Sequence, residues 1–182
     1  MGFFAQKADL YLLILHHTIQ NKENMRAIDA LLSEYGESHQ NKINKAFHWI
    51  CIPAIVFSLM GLLTAIPSAY LSAWLPDQWA PYFNWATVFL LVNLIYYFRH
   101  SLTIAIGMFL FASFCIIGNV WLQRNVDMPL WQTALIIFVV AWIGQFIGHK
   151  IEGKKPSFFK DIQFLMVGPA WLLHFLYKKV GI

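Results

Sequence analysis

Four stretches of this chain, Trp49–Pro76, Trp79–Phe98, Ser101–Gln123 and Met128–Gly148, are strongly apolar and contain no Asp, Glu, Lys or Arg. Each reaches the roughly 20 residues that a helix needs to cross a bilayer. A segment in lipid must satisfy its own backbone hydrogen bonds, which restricts these stretches to helices. The chain is 59% hydrophobic and 12% charged, against about 45–50% and 25% in soluble domains, so an ordinary globular fold is excluded. A fifth apolar stretch, Pro156–Tyr177, is interrupted by Asp161, Gln163 and the Gly168-Pro169 pair. It reads as a broken, re-entrant or interfacial segment. The expected fold is therefore an all-α membrane protein, with four transmembrane helices plus this C-terminal helical segment.

Basic residues orient the bundle. If the first span is entered from the cytoplasm, the loop Ile66–Pro81 lies outside and holds no Lys or Arg. Arg99, Lys150, Lys154 and Lys155 then lie inside and Arg124 outside. With the C-terminal segment folding back, every one of the 13 basic residues except Arg124 falls on the cytoplasmic side, as the positive-inside rule requires. The net charge of +4 is accounted for by this asymmetry, so no nucleic-acid partner is called for. Cys51 and Cys115 both sit inside apolar stretches, without disulfide or metal spacing, and read as small packing residues.

Residues 1–24 form an N-terminal appendage. The apolar run Tyr11–Ile14 is below spanning length, and Met1–Phe4 lacks the pattern of a signal peptide. Arg26–Tyr35 reads as an amphipathic surface helix, with Ile28, Leu31, Leu32 and Tyr35 on one face. Residues 25–182 form a single membrane-embedded domain.

Three histidines, His39, His48 and His149, stand at the polar margins of apolar segments, and the topology brings them to one side of the membrane. Imidazole is the commonest protein ligand for transition metals, so the three form a candidate metal set. In one straight helix His39 and His48 would be separated by about 13.5 Å and half a turn, too far to share a metal. The chain must then break within Gln40–Asn44, and Asn44 is a candidate cap for a helix starting near Lys45. His149 and Glu152 sit at i and i+3 on one helix face. Glu152 is open to three roles: a ligand, an acceptor orienting a histidine, or a partner of Lys155. His100 shares the side but follows Arg99 at a tight turn, which fits interface anchoring. His16, His17 and His174 read as incidental. Gly144-x3-Gly148 is a small-residue packing pattern that suits close helix approach near His149.

The run from Tyr35 to Pro53, Tyr35-x3-His39-x4-Asn44-x3-His48-x4-Pro53, together with Gln145-Phe146-Ile147-Gly148-His149-Lys150-Ile151-Glu152 continuing through Pro156 and Ser157, resembles the membrane 2-hydroxy fatty acid dioxygenase family. The resemblance covers Met25 to the C-terminus, which makes Met25 a candidate natural start. It implies an iron(II)-dependent enzyme of lipid metabolism, acting in fatty acid α-oxidation of the phytosphingosine-breakdown type. A 2-hydroxy fatty acid and dioxygen would give a fatty acid one carbon shorter. His39, His48 and His149 match the essential histidines and would hold Fe2+; Glu152 would join them in the catalytic set. Asn44, Gln145, Lys150, Lys154 and Lys155 are candidate substrate contacts, the lysines attracting the carboxylate to the membrane surface. Cys51 stands where the family pattern has Gly and Ser157 where Ala is usual, departures that bear on pocket shape. The expected compartment is a bacterial cytoplasmic membrane, or the endoplasmic reticulum in a eukaryote, with the site facing the cytoplasm.

Two other classes fit parts of the chain. A membrane di-iron hydroxylase or desaturase would need more histidines in denser clusters, and the only adjacent pair is His16-His17. A scaffold or small transporter would use the histidines as interface anchors, but the four spans lack the deep charged residue of proton-coupled transport. Iron content separates both from the dioxygenase reading.

Overall fold

A computed structural model describes Leu32, residues 40–153 and residues 158–181, with the backbone alone for residues 158–166. Among the described residues the elements are α1 (Lys42–Thr64), α2 (Ala69–Ser72), α3 (Trp85–His100), α4 (Leu102–Asn125), α5 (Leu130–Glu152) and α6 (Phe158–Val180), with a short 3-10 turn at Ala80–Tyr82. Among the described residues there are no strands. The expected amphipathic helix at Arg26–Tyr35 lies outside the described residues except for Leu32, which is helical and buried.

Three helices, α1, α4 and α5, are long and apolar enough to cross a membrane, and they make this a membrane protein. Their outward faces carry large apolar side chains, including Leu110, Phe114, Trp121 and Val140. Such exposure suits lipid rather than water. The four-span expectation is met at three of its members, and the second, Trp79–Phe98, yields a shorter helix. Pro81 opens the chain into a turn, and Asn84 caps the helix late by accepting from the Ala86 N–H at 2.9 Å. The resulting α3 has only 16 residues, about 24 Å against a hydrocarbon core of roughly 30 Å. Of the broken, re-entrant or interfacial alternatives for the C-terminal segment, the break is not seen. The segment is one helix running through Pro169, which packs against α1 and α4.

α1 begins earlier than the apolar pattern suggests, because polar residues supply its start. Asn41, in extended conformation, accepts from the Ile43 N–H at 2.8 Å and is the N-cap. Asn44 therefore lies inside the first turn and is not the cap expected of it. The break between His39 and His48 falls at Gln40–Asn41, ahead of the helix.

α1 and α5 share the most extensive contact in the fold and run antiparallel, Gly61 facing Ala134 near one end and Asn44 facing Gly148 near the other. A Cβ added at Gly144 would fall 2.6 Å from Cys51 Sγ, and one at Gly148 would fall 2.5 Å from Asn44 Oδ1. The small-residue pattern therefore marks the close approach that it suggests. Both cysteines are free and buried. α5 stops at Gly153, whose φ of 74° is left-handed and whose N–H turns back to the carbonyls of His149 and Lys150, the usual glycine ending of a helix.

Candidate metal centre

At the end of the α1–α5 pair where α1 starts and α5 stops, His48 is fully buried and His149 is 8% exposed. Their ring centroids lie 5.0 Å apart with planes at 85°. His48 Nδ1 is 2.9 Å from the carbonyl oxygen of Asn44 one turn earlier. That contact makes Nδ1 the protonated nitrogen of the neutral ring and Nε2 the unprotonated one, the arrangement by which outer partners orient metal-binding histidines.

The pair passes a simple geometric test. A metal about 2.1 Å from one nitrogen of each ring would lie about 3.2 Å from each centroid, so rings at neighbouring coordination positions stand roughly 4.5–5 Å apart. The observed separation is at the upper edge of that range. His39 lies outside the described residues. Among the described residues no three His, Cys, Asp or Glu side chains group for metal binding, so the described part contributes two histidines.

Glu152 does more here than its spacing reveals. Its Oε1 accepts from the backbone N–H of Gln40 at 2.9 Å and of Asn41 at 3.1 Å. Its Oε2 accepts from the Asn41 N–H at 3.0 Å and from Asn44 Nδ2 at 3.0 Å. In a capping box a Glu three residues into a helix reaches back to the cap N–H. Here that position is Asn44, and a carboxylate from the far end of α5 takes over the task. A negative charge at the start of α1 is also favoured by the helix dipole. Glu152 thus ties the residues that follow His39 to the helix that carries His149.

Two buried oxygens beside the histidines have no hydrogen-bond partner, Asn44 Oδ1 and Gln145 Oε1. Asn44 precedes His48 by one turn, as Gln145 precedes His149. An unsatisfied buried acceptor costs about 1–3 kcal/mol; Asn44 Oδ1 lies against Gly148 in the α1–α5 contact, which leaves Gln145 Oε1 as the position where a donor on a bound molecule would be welcome. Lys150 is exposed at the end of α5. Lys154 and Lys155 lie outside the described residues, as do His16 and His17. His100 Nδ1 is 2.7 Å from the Tyr96 carbonyl oxygen, and its ring lies 4.4 Å from the Tyr96 ring. Both contacts are to its own helix.

Sequence reasoning missed Asn41, whose cap and N–H position the chain after His39; an Asn just ahead of an apolar helix was the available signal. It also missed Asn119, fully buried in α4, whose Nδ2 donates to the carbonyls of Phe57 and Cys115, each at 2.9 Å. An Asn inside an apolar span is itself a signal, because polar groups are costly there.

The fold and this cluster define an all-helical membrane protein with buried histidines paired at one end of its central helices. A family model described as Mpo1-like, 2-hydroxy-palmitic acid dioxygenase Mpo1-like, matches residues 25–180, and the chain belongs to that family. No curated protein and no solved structure matches it.

Proposed function

We propose that this protein is an iron(II)-dependent dioxygenase that converts 2-hydroxy fatty acids into fatty acids one carbon shorter at the cytoplasmic face of its membrane. The observation that carries the reading is the buried His48–His149 pair, spaced for a shared metal within a chain of the dioxygenase family. His39 completes the ligand set, delivered by the segment that Glu152 holds. Iron(II) there would supply open coordination positions where dioxygen and the substrate's carboxylate and hydroxyl oxygens meet.

The protein's own groups do the rest. Gln145 Oε1 accepts a hydrogen bond from the 2-hydroxyl and fixes which face of the substrate is presented, while Asn44 is held in the α1–α5 contact by Glu152 and Gly148. Lys150, with Lys154 and Lys155, draws the carboxylate to the membrane surface. Burial of His48 and His149 keeps bulk water from the reacting carbon. The overall change balances as hydroxy acid plus dioxygen giving the shortened acid, carbon dioxide and water, so no external reductant is needed.

The test is a product assay. Protein purified without oxygen, reconstituted with iron(II) and given 2-hydroxypalmitate and air, should release pentadecanoate and carbon dioxide. Unchanged hydroxy acid with iron bound, or a 2-oxo acid as sole product, would contradict the proposal.

A further inference from the structure

Two apolar cavities lie between α1 and its neighbours. The outer one, of about 140 Å3, is walled by Trp49, Ile52 and Pro53 of α1 and by Leu172 and Leu176 of α6. The deeper one, of about 240 Å3, is walled by Met60, Leu90, Tyr97, Met108 and Ala112. Pro169 lines both, so they follow one another along a single course. The outer end borders Trp49 and Leu176, which are 38% and 45% exposed, whereas Met60 and Ala112 at the inner end are each 2% exposed. The course is thus a groove with a mouth and a floor. Along α1 its outer end begins within one turn of the candidate metal centre, since Trp49 directly follows His48 and Ile52 stands one turn beyond it.

We propose that this groove holds the acyl chain of the hydroxy acid, and that Ala112 and Met60 at its floor set the chain length accepted. The proposal rests on the dioxygenase reading. From Trp49 to Met60 the groove follows α1 for about 16 Å, a depth that suits a long-chain acid. The two volumes together fall within the roughly 300–1,000 Å3 of ligand sites. Asn93 on the deeper wall turns its amide to the Phe89 carbonyl at 2.7 Å, which leaves the wall compatible with a hydrocarbon. Carboxylate and hydroxyl held at the histidines would place the carbons that follow beside Ile52 and the tail beyond Pro169.

The experiment compares a series of 2-hydroxy acids, from decanoate to octadecanoate, on wild-type protein and floor variants. Turnover is read on the iron-loaded protein, and displacement of a fluorescent fatty acid is read on the iron-free protein. Each methylene kept out of the groove should lower kcat/KM about fourfold. Ala112→Phe should therefore reduce kcat/KM and displacement for the longest acids by about tenfold or more, with the decanoate unaffected. Ala112→Val, a gentler intrusion should the Phe variant not fold, should shift the profile the same way by less. Met60→Ala should favour the longest acids, and Phe114→Ala on the lipid-facing surface should leave the profile unchanged. A profile that does not move in the floor variants, or falls equally for every acid in folded protein, would overturn the groove. Absence of turnover in wild type, with displacement still shifting with chain length, would overturn the dioxygenase reading and leave the groove standing.

Discussion

The two ends of the helix bundle use polar residues in opposite ways. At the end opposite the histidines most bonds are short-range: Asn84 serves Ala86 and Pro81, Thr87 bonds to the Tyr82 carbonyl, and Trp74 donates to Leu71, with Thr64 to Asn84 at 3.5 Å the longer reach. An open cleft of about 470 Å3 lies there among Thr64, Asn84 and Arg124, with Arg124 stacked 5.8 Å from the Tyr82 ring. At the histidine end the bonds join residues more than 100 positions apart, through Glu152 to Gln40, Asn41 and Asn44. Local bonds turn the chain. Long-range bonds around buried acceptors left unpaired hold a site together.

The sharpest way to break this contrast is to remove the histidines. His48→Ala and His149→Ala should each reduce iron retained after anaerobic purification to background and abolish turnover, as should His39→Ala, because each removes one of three protein ligands. Iron per chain measured by atomic absorption decides it; full retention in His48→Ala would place the metal elsewhere. Next in size is Glu152→Gln. Replacing one carboxylate oxygen by an NH2 group sets donor against donor at Asn41 whichever way the amide turns, and should weaken iron binding or activity about 10–100-fold, read by chelator competition. An unchanged affinity would mean that the chain after His39 holds its place without Glu152.

Packing gives a third effect. Gly144→Ala forces a methyl against Cys51, and should lower thermal stability in detergent by about 1–3 kcal/mol. Cys51→Gly should restore most of that loss, because the two positions are in contact and their effects should not add. Simple additivity in the double variant would show that the helices do not meet there. At the opposite end Asn84→Ala should cost about 0.5–2 kcal/mol as a lost helix cap, with iron per chain unchanged. His100→Ala should do least, retaining both iron and stability, since His100 bonds within its own helix; loss of iron there would move the site toward Arg99.

Lipid makes the coarse fold legible. Charge-free runs locate α1, α4 and α5, because backbone in a bilayer has few alternatives to helix. Composition is less informative at boundaries. The run at Trp79–Phe98 is apolar throughout, yet Pro81 and Asn84 convert its first residues into a turn and leave α3 short. α1 extends beyond its apolar run into Lys42, Asn44 and Lys45, since a helix end at the membrane surface tolerates polar residues that hydropathy discounts. Pro169 reads as a break but sits inside α6, whose neighbours α1 and α4 hold the helix together. The Glu152 clamp is none of the three roles that spacing allowed, because most of its partners are backbone N–H groups, and those carry no signature in residue type.

The most direct test of the account is iron K-edge X-ray absorption on the reconstituted protein, with Glu152→Gln alongside. The account predicts imidazole scattering from histidine nitrogens at roughly 2.0–2.2 Å, on the scale known for zinc, lost in His149→Ala and weakened in Glu152→Gln. Iron bound through oxygen alone, or an unchanged imidazole signal in His149→Ala, would contradict it.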